Sequence, residues 1–263
     1  MISVPDATTF PIVPRPIVYT SADSVFQIAA HEDVIPLAEQ YRICEIAFEL
    51  VTGRLGVARV IARPFVGAPG TFTRTKNRHD YAIAPPRDTL LDVLTRHGVP
   101  VTAIGKVHDL FAGRGITRTF PTVSDSDGMD RVDAIMGESA GGLVFANLVD
   151  FDTVFGHRND VAGYAANLER FDARLGAVRR SLRETDLLVV TADHGNDPTT
   201  PSTDHSREYV PLLATGAQVS AGVSLGTRET FADLGQTIAA NFGVPALAHG
   251  TSFLEALGGP ARA

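Results

Sequence analysis

The sequence predicts an α/β fold in which a doubly wound, parallel-sheet unit follows a smaller α/β unit. Three observations predict it. Beyond Pro86, helix-period and strand-type apolar segments alternate, the order in which a parallel sheet is laid down. Within that stretch a long helical pattern joins two apolar runs, as a crossover between parallel strands requires. A chain of 263 residues with 44% hydrophobic content can also bury a core of that size.

The elements follow in order. The first ten residues read as loosely attached, and Pro11, Pro14 and Pro16 keep the next stretch extended. A β-type run at 16–20 precedes a helix over 36–51, where Leu37, Tyr41, Cys44, Ala47 and Phe48 fall at helical spacing. Residues 57–62 form a strand. Residues 63–86 hold Gly67, Gly70, Pro64, Pro69, Pro85 and Pro86, which predicts a long irregular surface loop of the kind that carries function. Then come a helix over 89–97, a strand over 99–104, a helix over 128–138 and a strand over 143–149. Tyr164, Leu168, Phe171, Leu175, Val178 and Leu182 mark a long helix leading into a strand at 187–191, a βαβ crossover. A last strand is expected at 210–214.

Composition narrows the function. The formal charge of -7 provides no basic field for nucleic acid, so an anionic substrate must be held locally, by metal ions or a few arginines. The single cysteine, Cys44, lies in an apolar helical run; it excludes an internal disulfide, predicts a buried thiol and fits a reducing compartment. Residues 1–10 lack the pattern of a leader, and no run reaches the roughly 20 apolar residues of a membrane span. The expectation is a cytoplasmic protein with neither nucleic-acid nor membrane partners.

In open parallel sheets the reactive groups collect beyond the carboxyl ends of the strands. Here those ends are polar: Asn147-Leu148-Val149-Asp150-Phe151-Asp152 with Gly156-His157, then Thr191-Ala192-Asp193-His194-Gly195-Asn196-Asp197, then Thr203-Asp204-His205-Ser206-Arg207-Glu208. Imidazole with carboxylate suits a borderline divalent ion such as manganese or zinc. Asp152, His157 and His205 can fill one three-ligand site, with Asp150 the rival to Asp152 for its position. Asp193 and His194 can begin a second site about 4 Å away, the spacing that clamps both sides of a phosphoryl transfer. Asn196 and Asp197 are candidates to orient the imidazoles.

These strings, continued as Asp197-Pro198-Thr199 and Glu208-Tyr209-Val210-Pro211, resemble the phosphopentomutases of the alkaline phosphatase superfamily. So does Ile17-Val18-Tyr19-Thr20-Ser21-Ala22-Asp23-Ser24-Val25-Phe26-Gln27-Ile28-Ala29, and the similarity extends over about 14–257. The resemblance implies an alkaline-phosphatase-like core and a cap domain: an N-terminal segment at 1–15, the cap at 16–98 and the C-terminal part of the core at 99–263. It implies two Mn2+ ions, with Mg2+ or another divalent ion as substitute: Asp152, His157 and His205 match the ligands of one, Asp193 and His194 those of the other. Asp23, Arg63 and Arg78 match cap positions that face substrate, and Lys106 matches a core position near the entrance. Guanidinium forks suit a phosphate on chemical grounds as well.

The implied activity is that of an isomerase interconverting ribose 1-phosphate and ribose 5-phosphate, and their deoxy forms, with glucose 1,6-bisphosphate as activator. The family's phosphorylated threonine and one metal-binding Asp fall upstream of the matching stretch, and Asp6, Thr8 and Thr9 do not replace them. The expectation is an incomplete core that needs a separate N-terminal half for turnover. The alternatives are a metal-dependent phosphate-ester hydrolase and a non-catalytic metal- or sugar-phosphate-binding subunit.

Overall fold

A computed structural model describes residues 14–21, 25–52, 55–138 and 141–258. Asp6, Thr8, Thr9 and Asp23 lie outside the described residues. The chain divides into two compact units, Met1–Ala84 and Pro85–Ala263.

In the first unit β1 (Ile17–Ser21) pairs antiparallel with β2 (Val25–His31), which runs through α1 (Leu37–Thr52) into β3 (Arg59–Val66), parallel to β2. The predicted apolar stripe of α1 sets Cys44 on Ile28, Val60 and Ala62, with Phe26, Tyr41 and Phe48 around them. The buried Gln40 amide donates to the Ile28 carbonyl at 2.9 Å. The bond spares a donor whose burial without a partner costs about 1–3 kcal/mol.

Residues 63–86 are not a long irregular loop. Strand β3 continues through Pro64 to Val66, and both β4 (Thr73–Arg74) and β5 (His79–Ala82) return antiparallel along it. Pro64 keeps its place in the sheet because its carbonyl accepts from Thr75 N–H at 3.1 Å. Gly67, Pro69 and Gly70 mark only the turn between β3 and β4, while β4 and β5 are too short to show a period.

The second unit opens with α2 (Leu90–Arg96), started by a capping box in which Thr89 and Asp92 each satisfy the other's backbone N–H. Its Leu91 and Leu94 are buried against Val101. Strand β6 (Val101–Ile104) is wholly buried and leads to the short α3 (Val107–Leu110). Then come β7 (Arg118–Phe120), α4 (Asp125–Met136), β8 (Leu143–Ala146), α5 (Val161–Ser181), β9 (Leu188–Thr191), β10 (Leu212–Thr215) and α6 (Ala232–Asn241). Strand β6 is the centre of a parallel sheet in the order β7-β6-β8. A further core of Phe253, Leu254 and Leu257 packs with Leu187, Leu212, Ala214 and Leu234.

The long helix α5 does follow β8 and precede β9, but the two strands do not pair with each other. Strand β8 takes β6 as its neighbour, and β9 takes β10, antiparallel, with Leu212 opposite Thr191. An apolar run specifies burial, whereas its partner depends on chain that returns later, here β10. Because β6 and β8 are parallel, Lys106 and the turn after β8 leave the sheet at the same edge. Gly105 (φ +75°) allows this: a Cβ there would stand 2.3 Å from the Asn147 carbonyl oxygen.

Candidate metal centre

Three chain segments build the site. After β8, residues Phe151–Phe155 make one wide π-helical turn and Gly156–Arg158 a tight 3-10 turn, which together carry Asp152 and His157. Asn159 ends that run in the left-handed conformation (φ +52°), which asparagine tolerates. Its amide donates to the carbonyls of Thr200 and Ser202, latching the first segment to the third. After β9, the string around His194 lies against the string around His205 through an antiparallel bridge between Gly195 and Ser206, closed by Ser206 N–H to Gly195 O at 2.9 Å.

These constraints bring four of the five predicted metal ligands together. Asp152 Oδ1 lies 3.3 Å from His157 Nε2 and 3.2 Å from His205 Nε2. The His194 and His205 rings stack at 3.8 Å, and His157 and His205 at 5.0 Å. Ligand atoms of Asp152, His194 and His205 all lie within 4.8 Å of one another, so this group spans the two ligand sets drawn from the sequence. Asp193, with its side chain 63% exposed, stands at the rim with Oδ1 3.8 Å from His194 Nε2.

The donor chemistry fits a divalent ion. His157 Nδ1 lies 2.5 Å from the Thr203 carbonyl, which can only accept, so Nδ1 carries a proton and Nε2 is the nitrogen left for the site. That nitrogen faces a carboxylate oxygen of Asp152. A ring nitrogen and a carboxylate oxygen 3.3 Å apart can share one ion, and an imidazole fixed through its far nitrogen is the usual arrangement of a metal-bound histidine.

Around this group the residues divide by task. The Asn196 amide donates to Asp152 Oδ1 at 2.6 Å, so it orients a carboxylate rather than an imidazole. Gly156 makes that contact possible, since a Cβ there would stand 2.5 Å from the Asn196 amide. Asp197 accepts from the Thr199 backbone and hydroxyl at 2.8 and 2.7 Å, and the Thr199 hydroxyl and backbone together hold its carboxyl below the usual value. It shapes the loop and does not reach the imidazoles. Asp150, the rival to Asp152, is turned away, accepting from Asp125 N–H at 2.8 Å. Sequence reasoning missed Asn159; its signal was an asparagine ending a short turn directly before the helix-capping Asp160.

The phosphate candidates lie elsewhere in the chain. In the first unit Arg63 is half-buried on β3, with its Nε lacking a hydrogen-bond partner among the described residues. Burial, then the nearby Arg78 and Arg74, push its guanidinium below the ordinary value. Arg78 is bound by both arms to Asp80 at 2.6 and 2.7 Å. In the second unit Lys106 is exposed just past β6.

Known proteins resemble the chain closely. The phosphopentomutase of Clostridium novyi is 56% identical over 239 residues, 91% of this chain and 61% of that protein. Those of Thermotoga maritima and Desulfitobacterium hafniense are 58% and 57% identical, with 61% and 63% of their lengths covered. The chain thus spans about three-fifths of the length of these relatives. Among solved structures, the phosphoglycerate mutase of Leishmania mexicana matches 61% of this chain and 38% of its own, with a TM-score of 0.50 at 18% identity, a likeness of fold. No helix among the described residues is long and apolar enough to cross a membrane. The model of the metalloenzyme superfamily matches residues 67–246, and the chain belongs to that superfamily.

Proposed function

We propose that this chain carries the metal-binding part of a phosphopentomutase, interconverting ribose 1-phosphate and ribose 5-phosphate, and the deoxy sugars, with two Mn2+ ions. One observation carries the reading: Asp152 with the imidazoles of His157, His194 and His205, gathered beyond strand ends in a chain more than half identical to phosphopentomutases. Asp152, His157 and His205 hold one ion in this reading, and Asp193 and His194 the other. Divalent ions held here would neutralise charge developing on a transferred phosphoryl group.

The protein's own groups then have distinct tasks. Asn196 fixes the carboxylate of Asp152, and the Thr203 carbonyl fixes the tautomer of His157. Arg63 offers a desolvated guanidinium to an anion, and Arg78, oriented by Asp80, and Lys106 add charge for the sugar phosphate. The cap function of 16–98 and the position of Asp23 there belong to the same reading, as does glucose 1,6-bisphosphate as activator. The phosphorylated threonine of the family mechanism is supplied, in this reading, by a polypeptide segment outside the matching stretch.

The test is a coupled assay for ribose 5-phosphate formed from ribose 1-phosphate with Mn2+, run with this chain alone and with the N-terminal segment of a relative added. Isomer formed on addition supports the reading. Inorganic phosphate released without isomer would favour ester hydrolysis instead, and saturable Mn2+ binding with no turnover in either arm would favour a binding subunit.

A further inference from the structure

We propose that Asp125 is a positioning residue for the metal centre, setting through the turn after β8 where the Asp152 carboxylate stands. The inference rests on the metal reading above. Asp125 is the first residue of α4 and only 6% exposed. A carboxylate at a helix start is usually explained as a cap, but here Ser124 already caps α4, accepting from Asp127 N–H at 3.2 Å.

The Asp125 carboxylate is spent elsewhere. One oxygen accepts from Asp150 N–H at 2.9 Å, and the other from the Asn167 amide on α5 at 2.8 Å. The bond is reciprocal, since Asp125 N–H donates to Asp150 Oδ2 at 2.8 Å. Asn167, itself 6% exposed, accepts in turn from Arg170 at 3.1 Å. Burial, and after it the charge of the nearby Asp150 carboxylate, push the Asp125 carboxyl upward, against the backbone N–H of Asp150 and the amide of Asn167, which favour its charged form.

The arrangement ties α4, the end of β8 and α5 at one point, two residues before Asp152. Strand β8 is four residues long, and the turn beyond it has no ladder to hold it. Without the Asp125 acceptor the part-buried Asp150 N–H would lose its partner, and the turn would shift to find another. The Asp152 oxygen meets three nitrogens at 2.6 to 3.3 Å, a geometry that tolerates only small displacements.

The experiment titrates Mn2+ into the metal-free chain by calorimetry and records thermal unfolding in chelator, for the wild type, Asp125→Asn and the exchange Asp125→Asn with Asn167→Asp. Asp125→Asn keeps the shape but turns the Asn167 contact into amide against amide. It is expected to weaken Mn2+ binding about 10-fold, as loss of a partner behind a ligand does, while the chelator-treated protein still unfolds cooperatively. The exchange restores an amide–carboxylate pair with the roles reversed and is expected to recover affinity to within about threefold. Affinity unchanged in Asp125→Asn, a loss the exchange does not recover, or loss of cooperative unfolding in both variants would each overturn the proposal. A wild-type chain that takes up no Mn2+ would overturn the metal reading and this one together, whereas wild-type binding with an indifferent Asp125→Asn overturns this one alone.

Discussion

The two sides of the metal centre are built to different standards. On one side Asp152 is a quarter exposed, holds the Asn196 amide at 2.6 Å and leaves a turn bonded on through Asp150 and Asp125 to two helices. On the other, His194 and His205 stack on each other from strings joined by a single bridge, and His205 sits in a run of exposed residues. The carboxylate is the fixed point of the site, while the imidazoles of His194 and His205 are the part that can adjust to an ion.

Breaking the fixed side should therefore cost most. Asp152→Ala is expected to lower Mn2+ affinity by about 100-fold or more, beyond the 10- to 100-fold typical of partners behind a ligand; calorimetric titration measures it, and a milder loss than that of any single histidine variant would reverse the comparison. Asn196→Ala, which frees the carboxylate without removing it, should cost about 10-fold on the same titration. The latch between the segments is next: Asn159→Ala should lose about 2–3 kcal/mol of stability, from the left-handed backbone and the lost amide bonds. Asn159→Gly should lose only about 1 kcal/mol, since glycine accepts that backbone. Chemical denaturation separates the two, and equal losses would mean that the backbone conformation contributes nothing.

The last effect lies in the first unit. Burial pushes the Cys44 thiol from 9.0 up to about 11. A raised value means that the folded state holds its proton more tightly than the unfolded chain does. The contribution is therefore complete below pH 9 and lost as pH rises towards about 11. The loss should reach about 1–2 kcal/mol across that window, discounted for partial solvation. Denaturation midpoints from pH 8 to 11 measure it, and Cys44→Ala should remove the slope.

Much of this was legible in the sequence for a physical reason. The helix over 37–52 and the capped helix at 90–96 bury side chains at helical spacing, and the strand at 101–104 is an unbroken buried run; both patterns are visible in one dimension. Two of the proposed ligand strings stand out because their polar residues come directly after an apolar run, and the third because it comes directly before one. What stayed hidden depended on distant partners. Strand β9 pairs with β10 rather than β8, β5 is only four residues long, and Asp125 reaches Asn167 across 42 positions. Asp150 and Asp152 are chemically equal in sequence, and only the helix waiting behind Asp150 separates their tasks.

Gly156 sets a criterion for reading diverged copies of this sequence. Any side chain there, alanine included, would displace the Asn196 amide from the Asp152 carboxylate while every ligand stayed in place. A copy that keeps all its aspartates and histidines but carries another residue at 156 would pass a check of its ligands and still hold an ion more weakly, as is expected of Asn196→Ala, so an unremarkable glycine is a sentinel the ligands themselves do not provide.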